Sequence, residues 1–395
     1  MAPDQISSFR GGRIAFLILV GLTLATYIAF SMVAALNTRD RIGLGGSPLF
    51  YDYSVFHTVG AMANAGQAAD TYDDAKMIAA ERAAFPGNTL RLPWNYPPTF
   101  QLMLMPFGAL PYVVSWLVWS GLLYGFYALL ARRLADEPNR LLFLLLAPGA
   151  AVNLFFGQNG ILSTLFLGGG VLLLSSRPIL AGVLLGMMAY KPQLALLAPF
   201  ALLAGKEWRA LAAAILSQVL FMLLSLAILG AEPWWAFWYK LLHPAAVFSS
   251  SSSDWRAIPS LLIFARTLGL GSFTGNLLHW SIAGLAAAGA LWTWHKTKDG
   301  ILRAAVLAGA TVLVTPYLRA YDLMLLILPV GALLRFQTGL VEKAIIFAAW
   351  LVPGVLMFVS VPIQFGALVS LSLMIAVLAR SYFGLPPIQT MTKTT

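Results

Sequence analysis

Long apolar runs recur along the sequence and limit the folds that the chain can adopt. The first run, residues 13–36, begins after Arg10 and Arg13. It is longer than the apolar core of a signal peptide and long enough to remain as a membrane span. Because backbone groups in lipid must pair within the segment, such runs predict helices. We therefore expect an all-α polytopic membrane protein with about 12 transmembrane helices.

The other candidate crossings are separated by short polar turns. Several are shorter than the roughly 20 residues that a helix needs to cross the hydrocarbon layer. They cover residues 99–131 with a break near Pro111, 140–156, 159–175, 178–190, 192–205, 210–229, 275–295, 301–316, 321–336, 344–360 and 363–380. The whole chain, residues 1–395, then forms a single integral membrane domain.

Composition supports this class and excludes several functions. Hydrophobic residues make up 59% of the chain and charged residues 10%, whereas soluble proteins carry about 25% charged residues. The chain has no cysteine, which excludes disulfides and cysteine-ligated metals. It also lacks a Gly-rich phosphate loop, HExxH and G-x-S-x-G, so nucleotide hydrolysis, zinc proteolysis and esterase chemistry have no support. We expect no cofactor and no metal site.

The distribution of lysine and arginine predicts the orientation. With the amino terminus in the cytoplasm, inner segments hold 15 of the 25 basic residues, and five of the outer ten lie in one long loop. Since cytoplasmic loops are enriched in Lys and Arg, both termini are predicted to be cytoplasmic in a plasma (inner) membrane. The basic residues behind the net charge of +10 are scattered through loops. This distribution is better explained by membrane orientation than by nucleic-acid binding.

Two long segments lie outside under this topology. The first outer segment, residues 37–98, carries Asp52 in "YDYSVF" just after the first span, and its acids from Asp70 to Glu81 are predicted to lie on a solvated surface. The second outer segment, residues 231–274, contains the aromatic "EPWWAFWYKLLHP" and a serine run at 249–253 that predicts partial flexibility. The aromatic cluster is typical of a membrane interface, with sugar stacking as the alternative.

Polar or aromatic residues recur at the outer ends of the predicted spans. They occur in "YDYSVF", "WNYPP", "FFGQNG", "AYKPQ" and "TPYLRAYD". One such cluster is explained by ordinary turn chemistry, but five on one face predict a common cavity, since charge near the bilayer is costly and is usually retained for a function. The candidate binding residues are Tyr96, Gln158, Asn159, Lys191, Arg319, Tyr321 and Asp322.

These residue types suit one kind of reaction. A carboxylate such as Asp52 can accept a proton from an acceptor hydroxyl as general base. Lys191 and Arg319 can hold a phosphate and stabilise the charge that grows on a leaving phosphate. A base, a phosphate cradle and apolar flanks fit transfer of a sugar from a lipid-phosphate donor whose tail stays in the bilayer. A purely structural role for Asp52, paired with Lys191 or Arg319, is the competing interpretation.

The order of "YDYSVF", "YPPTFQLMLMPFGALP", "GQNGIL", "LGMMAYKPQLALLAPFALLAGKEWRA" and "VTPYLRAYDLMLLILP" resembles glycosyltransferase family 87 over roughly residues 45–335. This resemblance implies a GT-C fold and inverting transfer of a hexose, mannose in many members, from a polyprenyl-phosphate donor at the outer face. It implies that Asp52 is catalytic and that Lys191-Pro192 is the basic motif. Mycobacterial members have a histidine pair where this chain has "PYLRAYD", which leaves Arg319 as its replacement.

Two other functions stay open from the sequence. A transporter or lipid flippase fits the predicted spans equally well, but it should show internal repeats and polar groups near the middle of the membrane. A polymerase or ligase acting on undecaprenyl-linked glycans shares the donor type. For the favoured function the expected partners are the lipid-linked donor, a glycolipid or glycan acceptor and membrane lipids.

Overall fold

The computed structural model describes residues 48–50, 52–89, 92–243, 258–336, 338–359, 361 and 363–383. Within these ranges every regular element is a helix. The predicted first span at 13–36 and the serine run at 249–253 lie outside the described residues, as do both termini. The all-α prediction is therefore confirmed for the described chain.

The first part of the described chain forms six α-helices and one short 3₁₀ turn, Ala69–Tyr72. The helices are α1 (Tyr53–Asn64), α2 (Asp74–Ala84), α3 (Pro98–Gly108), α4 (Tyr112–Leu134), α5 (Pro138–Leu145) and α6 (Pro148–Phe156). The run predicted at 99–131 is interrupted between α3 and α4, beside Pro111, as the sequence indicates.

The middle of the described chain contains seven helices, most of them short. A π-turn at Leu165–Gly169 joins α7 to α8, and a 3₁₀ turn at Met188–Tyr190 follows α9. The helices are α7 (Gly160–Thr164), α8 (Gly170–Leu173), α9 (Pro178–Met187), α10 (Pro192–Ala195), α11 (Ala198–Ala204), α12 (Trp208–Leu229) and α13 (Glu232–Leu242).

The last part contains six α-helices. A 3₁₀ segment, Ala320–Leu326, runs directly into the helix that follows it. The helices are α14 (Leu261–Thr267), α15 (Ser272–Lys296), α16 (Gly300–Val314), α17 (Ile327–Leu333), α18 (Leu340–Phe358) and α19 (Gly366–Phe383).

Proline sets many of the helix starts. Proline occupies the first turn because its missing N–H is not needed there and its φ is already helical. The five helices whose first residue is proline are α3, α5, α6, α9 and α10. The prolines therefore divide continuous apolar sequence into separate helices and bring the intervening polar turns together.

The apolar helices make this a membrane-embedded protein. In the described part of the chain, five helical stretches reach the length and hydropathy of a span, namely Tyr112–Leu134, Pro138–Phe156, Trp208–Leu229, Leu340–Met357 and Gly366–Phe383. Five more apolar helices have 10–17 residues: Gly160–Leu173, Pro178–Tyr190, Pro192–Ala204, Gly300–Val314 and Ala320–Leu333. They match the short runs of the sequence, and the number of crossings stays a prediction.

Loops at one end of the helices are joined by ion pairs. Arg303 is 2% exposed, and its Nη1 lies 2.7 Å from Glu207 Oε1, which also lies 2.8 Å from Lys298 Nζ. Arg335 pairs with Asp299 in the same region. The predicted inner loops 206–209, 296–303 and 335–343 therefore lie together at one end, as the alternation of spans requires.

The described part of the first outer segment contains helices, and one expectation about it is wrong. Glu81 is 1% exposed, although the sequence places it on a solvated surface. The cause is helix geometry, because Glu81 follows Met77 by one turn of α2 and shares its buried face. Neither carboxyl oxygen of Glu81 has a hydrogen-bond partner in the described structure. Burial raises the pKa of Glu81 to about 7.

Candidate functional site

Helix α1 begins directly after the candidate base, Asp52. The first residue of the helix, Tyr53, holds it in place. Asp52 occupies the N-cap position of α1, but its side chain does not cap the helix. Tyr53 is fully buried, and its hydroxyl lies 2.6 Å from Ser115 Oγ of α4. Gly157 adopts φ 66° against the Tyr53 side chain, where an added Cβ would lie 2.4 Å from Tyr53 Cβ. Close contact with a glycine turn therefore sets the position of Asp52.

The "GQNG" turn is tied to a distant segment by one amide side chain. Asn153 Oδ1 accepts hydrogen bonds from the backbone N–H groups of Gly160 (2.6 Å) and Ile161 (3.2 Å). Asn153 Nδ2 donates to the Tyr321 carbonyl at 3.1 Å. One buried asparagine thus caps α7 and holds it against the 3₁₀ segment that contains Tyr321 and Asp322.

A buried ion pair lies behind this turn. Lys191 Nζ is 2.5 Å from Asp322 Oδ1, and the two side chains are 2% and 5% exposed. Lys191 is held between α9 and α10 by the turn that ends at Pro192. The ammonium also lies 4.8 Å from the centroid of the Tyr321 ring and 5.6 Å from that of Tyr96. Three of the predicted clusters, "WNYPP", "AYKPQ" and "TPYLRAYD", therefore meet at Lys191.

Asp52 joins the same group of residues through Tyr321. The Tyr321 side chain lies within electrostatic range of Tyr96, Asp52 and Asp322. The backbone N–H of Arg319 donates to Asp322 Oδ2 at 3.4 Å. The structure thus brings Asp52, Tyr96, Tyr321 and Asp322 into one cluster, with Arg319 at its edge.

Gln158 and Asn159 lie on the buried side of this cluster. Tyr190 donates its hydroxyl to the Asn159 carbonyl at 3.0 Å, and its ring stacks on Tyr96 with centroids 6.4 Å apart. Gln158 is 4% exposed and Asn159 fully buried. Both amide atoms of the Asn159 side chain lack a hydrogen-bond partner among the described residues. This buried amide therefore retains unused hydrogen-bonding capacity next to the cluster.

Exposure divides the predicted site residues into two sets. Asp52, Tyr96, Arg319 and Tyr321 are partly exposed, so a ligand can reach them. Gln158, Asn159, Lys191 and Asp322 are buried behind them. A partly exposed carboxylate and guanidinium can act on a ligand directly, whereas a buried pair with no net charge acts by fixing its neighbours.

Comparison with known proteins identifies the family of the chain. The model of glycosyltransferase family 87 matches residues 94–316, which is more than half of the chain. The chain belongs to glycosyltransferase family 87. No curated protein and no solved structure shows significant similarity to it. The protein is accordingly a membrane glycosyltransferase.

The family 87 match covers part of the candidate site. Tyr96, Gln158, Asn159 and Lys191 fall inside residues 94–316, together with the Asn153 clamp. Asp52 precedes the matched region, and the segment from Arg319 to Asp322 follows it. The contacts of Tyr321 and Asp322 with Lys191 and Asn153 connect these outlying residues to the matched region.

Sequence reasoning missed three contributors to the site of this family 87 protein. Asn153, Gly157 and Tyr190 hold the clusters together, yet none of them was predicted. An asparagine within the apolar "AAVNLFF" was the available indication for Asn153, since an amide in such a run needs a buried partner. The role of Gly157 depends on a contact with Tyr53 more than 100 residues earlier, which no local pattern contains.

Proposed function

We propose that this family 87 protein transfers a hexose, with mannose as the first choice, from a polyprenyl-phosphate-linked donor to a glycolipid or glycan acceptor. The observation that carries the proposal is the cluster in which Asp52 lies within electrostatic range of Tyr321, whose ring faces Lys191 of the Lys191–Asp322 pair. It joins two partly exposed groups, the Asp52 carboxylate and the Arg319 guanidinium, next to apolar helices, where a lipid-linked donor and a polar acceptor can both approach.

Asp52 is the proposed general base. As the acceptor oxygen bonds to C1 of the sugar, the hydroxyl proton passes to the Asp52 carboxylate. The bond between C1 and the phosphate oxygen breaks, and polyprenyl phosphate leaves with the bonding electrons. The side chain of Asp52 suits this step because it is partly exposed and an acceptor can reach it.

Arg319 is the proposed contact of the leaving phosphate. A guanidinium binds phosphate with charge-assisted hydrogen bonds, often in pairs. Arg319 is partly exposed, whereas Lys191 is only 2% exposed. We therefore assign direct phosphate contact to Arg319 first, and propose that Lys191 acts mainly by fixing the rings of Tyr96 and Tyr321.

The topology and setting of the proposed reaction follow from the charge distribution. With both termini in the cytoplasm, the cluster faces the outside of a plasma membrane. The reaction then uses no nucleotide sugar, because the donor reaches the outer face already bound to its lipid carrier. The polyprenyl tail would lie along the apolar helices that surround the cluster.

Purified protein in proteoliposomes tests the proposal. Radiolabelled polyprenyl-phosphate-mannose is supplied with a panel of glycolipid acceptors, and GDP-mannose is the matched control donor. Labelled acceptor is expected when the lipid donor is supplied and is not expected when GDP-mannose is supplied. Transfer only from GDP-mannose would reject the lipid-phosphate donor, and movement of intact donor across the bilayer without transfer would favour a flippase. A panel of other polyprenyl-phosphate hexoses identifies the sugar.

A further inference from the structure

Helix α13 has an exposed apolar stripe on one face. Its members follow the spacing i, i+3, i+4 and i+7, which places them within roughly 100° of the helix surface. They are Trp235 (74% exposed), Trp238 (48%), Tyr239 (68%) and Leu242 (71%). So much exposed aromatic surface on one short helix indicates a partner.

The opposite face of α13 is docked on the first outer segment. Phe237 is buried, and its ring meets the edge of Tyr72 with centroids 6.1 Å apart. Lys240 Nζ lies 2.6 Å from Asp74 Oδ1 and 3.5 Å from the Tyr72 carbonyl. These contacts fix the rotation of α13 and keep its apolar stripe turned outward.

The start of α13 is fixed next to the end of a membrane helix. Helix α12 has 22 residues, and only 6% of its apolar window is buried inside the protein, so it presents most of its surface to lipid. At 1.5 Å per residue it is about 33 Å long, enough to cross a hydrocarbon layer of about 30 Å. Trp234 Nε1 donates to Ser225 Oγ at 3.1 Å, which ties the first turn of α13 to the last turns of α12.

We propose that α13 lies in the headgroup region of the membrane, with Trp235, Trp238, Tyr239 and Leu242 facing the lipid. Helix α13 is about 16 Å long and too short to cross the bilayer. Trp and Tyr side chains concentrate at the boundary between lipid and water, and short helices with a lipid-facing aromatic stripe lie in that plane. Helix α12 presents most of its surface to lipid and is hydrogen-bonded to the first turn of α13, which is why lipid is the chosen occupant.

The proposed lipid contact also lies close to the candidate site. Tyr72, which α13 covers, donates its hydroxyl to the Tyr96 carbonyl at 2.8 Å. Tyr72 thus connects α13 to Tyr96. The proposal does not depend on the glycosyl-transfer function, because it uses only the packing of α12 and α13.

Spin labels on single cysteines test the proposal in lipid vesicles, since the natural chain contains no cysteine. Trp235→Cys, Tyr239→Cys and Leu242→Cys report on the stripe. Ala79→Cys on the exposed side of α2 is the aqueous reference, and Leu220→Cys on the exposed side of α12 is the lipid reference. For each label, the collision rate with oxygen is divided by that with a water-soluble nickel complex.

We expect the ratio at the three stripe positions to shift clearly above that at position 79, toward that at position 220. Ratios equal to that at position 79 would overturn the proposal. A second result would also overturn the proposal. If the nickel complex reaches the stripe until a soluble oligosaccharide is added, the stripe is a sugar-stacking surface. Three independent positions keep the test decisive if one variant does not fold.

Discussion

Lys191 and Asp322 form a buried ion pair, 2.5 Å apart, between side chains separated by 131 residues of sequence. The pair joins the turn between α9 and α10 to the 3₁₀ segment that contains Tyr321. Its two opposite charges leave no net charge in the interior, and the ammonium also faces the rings of Tyr96 and Tyr321. The pair is therefore well placed to fix the two tyrosines at the edge of the cluster.

Removing one partner of this pair should destabilise the protein. Lys191→Met and Asp322→Leu each leave a buried charge without its counterion, which costs on the order of 3–5 kcal/mol. The double variant removes both charges and should recover most of the lost stability, because apolar replacements of a buried pair are often neutral. Thermal unfolding in detergent measures the three variants against the wild type.

Activity of the double variant separates a structural from a positioning role. If the pair fixes Tyr96 and Tyr321 for the donor, the folded double variant should show a raised KM for the lipid donor and reduced transfer. A double variant with wild-type stability and wild-type kinetics would remove the pair from the candidate site. Lys191→Arg, which keeps the positive charge, is the matched control.

Gly160→Ala should disturb the site through backbone contact. A Cβ at Gly160 would lie 2.1 Å from the Tyr321 carbonyl oxygen and 2.7 Å from Asn153 Oδ1. The "GQNG" turn must move to admit it, at a cost of about 1–3 kcal/mol, and transfer should fall with it. Gly121→Ala is the matched control, since no atom lies within 4 Å of its Cβ. Equal activity of the two variants would contradict the proposed role of the turn.

The helices of this fold were largely predictable, whereas the pairings within the site were not. Apolar runs, Pro111 and the prolines that open helices are local features, so the sequence indicates where helices begin and end. Asp52 and Asp322 are both acids in the predicted polar clusters. No local pattern selects Asp322 as the partner of Lys191. The burial of Glu81 and the Asn153 clamp likewise depend on packing between distant segments.

The orientation of the protein is a separate prediction. Ala79 on α2 and Asn139 on α5 are both exposed, and the cysteine-free chain allows one cysteine at either position. An impermeant maleimide added to intact cells should label position 79 and not position 139. Labelling of position 139 alone would place the candidate site in the cytoplasm and reject the proposed outer-face reaction. Permeabilised cells, in which both positions should react, provide the control.

Glu81 should make stability fall as pH rises. Burial raises its pKa from 4.5 to about 7, so between these values the unfolded chain releases a proton that the folded protein retains. Stability from this group is highest below pH about 4.5, decreases toward pH about 7 and is level above it. The shift corresponds to roughly 3 kcal/mol over the full range.

Glu81→Gln tests this pH dependence because glutamine has the same shape and no titration. The variant should match the wild type near pH 4.5 and unfold at a higher temperature at pH 8. Thermal unfolding of both proteins at several pH values between these limits measures the difference. Parallel curves across the range would show that the Glu81 carboxyl ionises in the folded protein as it does in water.

Asp52→Asn should abolish transfer while leaving the fold intact. Asparagine keeps the size of the side chain but cannot take the acceptor proton, and loss of a general base commonly costs about 10²–10⁴ in rate. Asp70→Asn is the matched control, because Asp70 lies in the same outer segment and its partner Lys76 is largely exposed. Donor binding and turnover are measured separately on purified protein. Normal turnover would end the catalytic assignment, whereas loss of folding would show that Asp52 is structural.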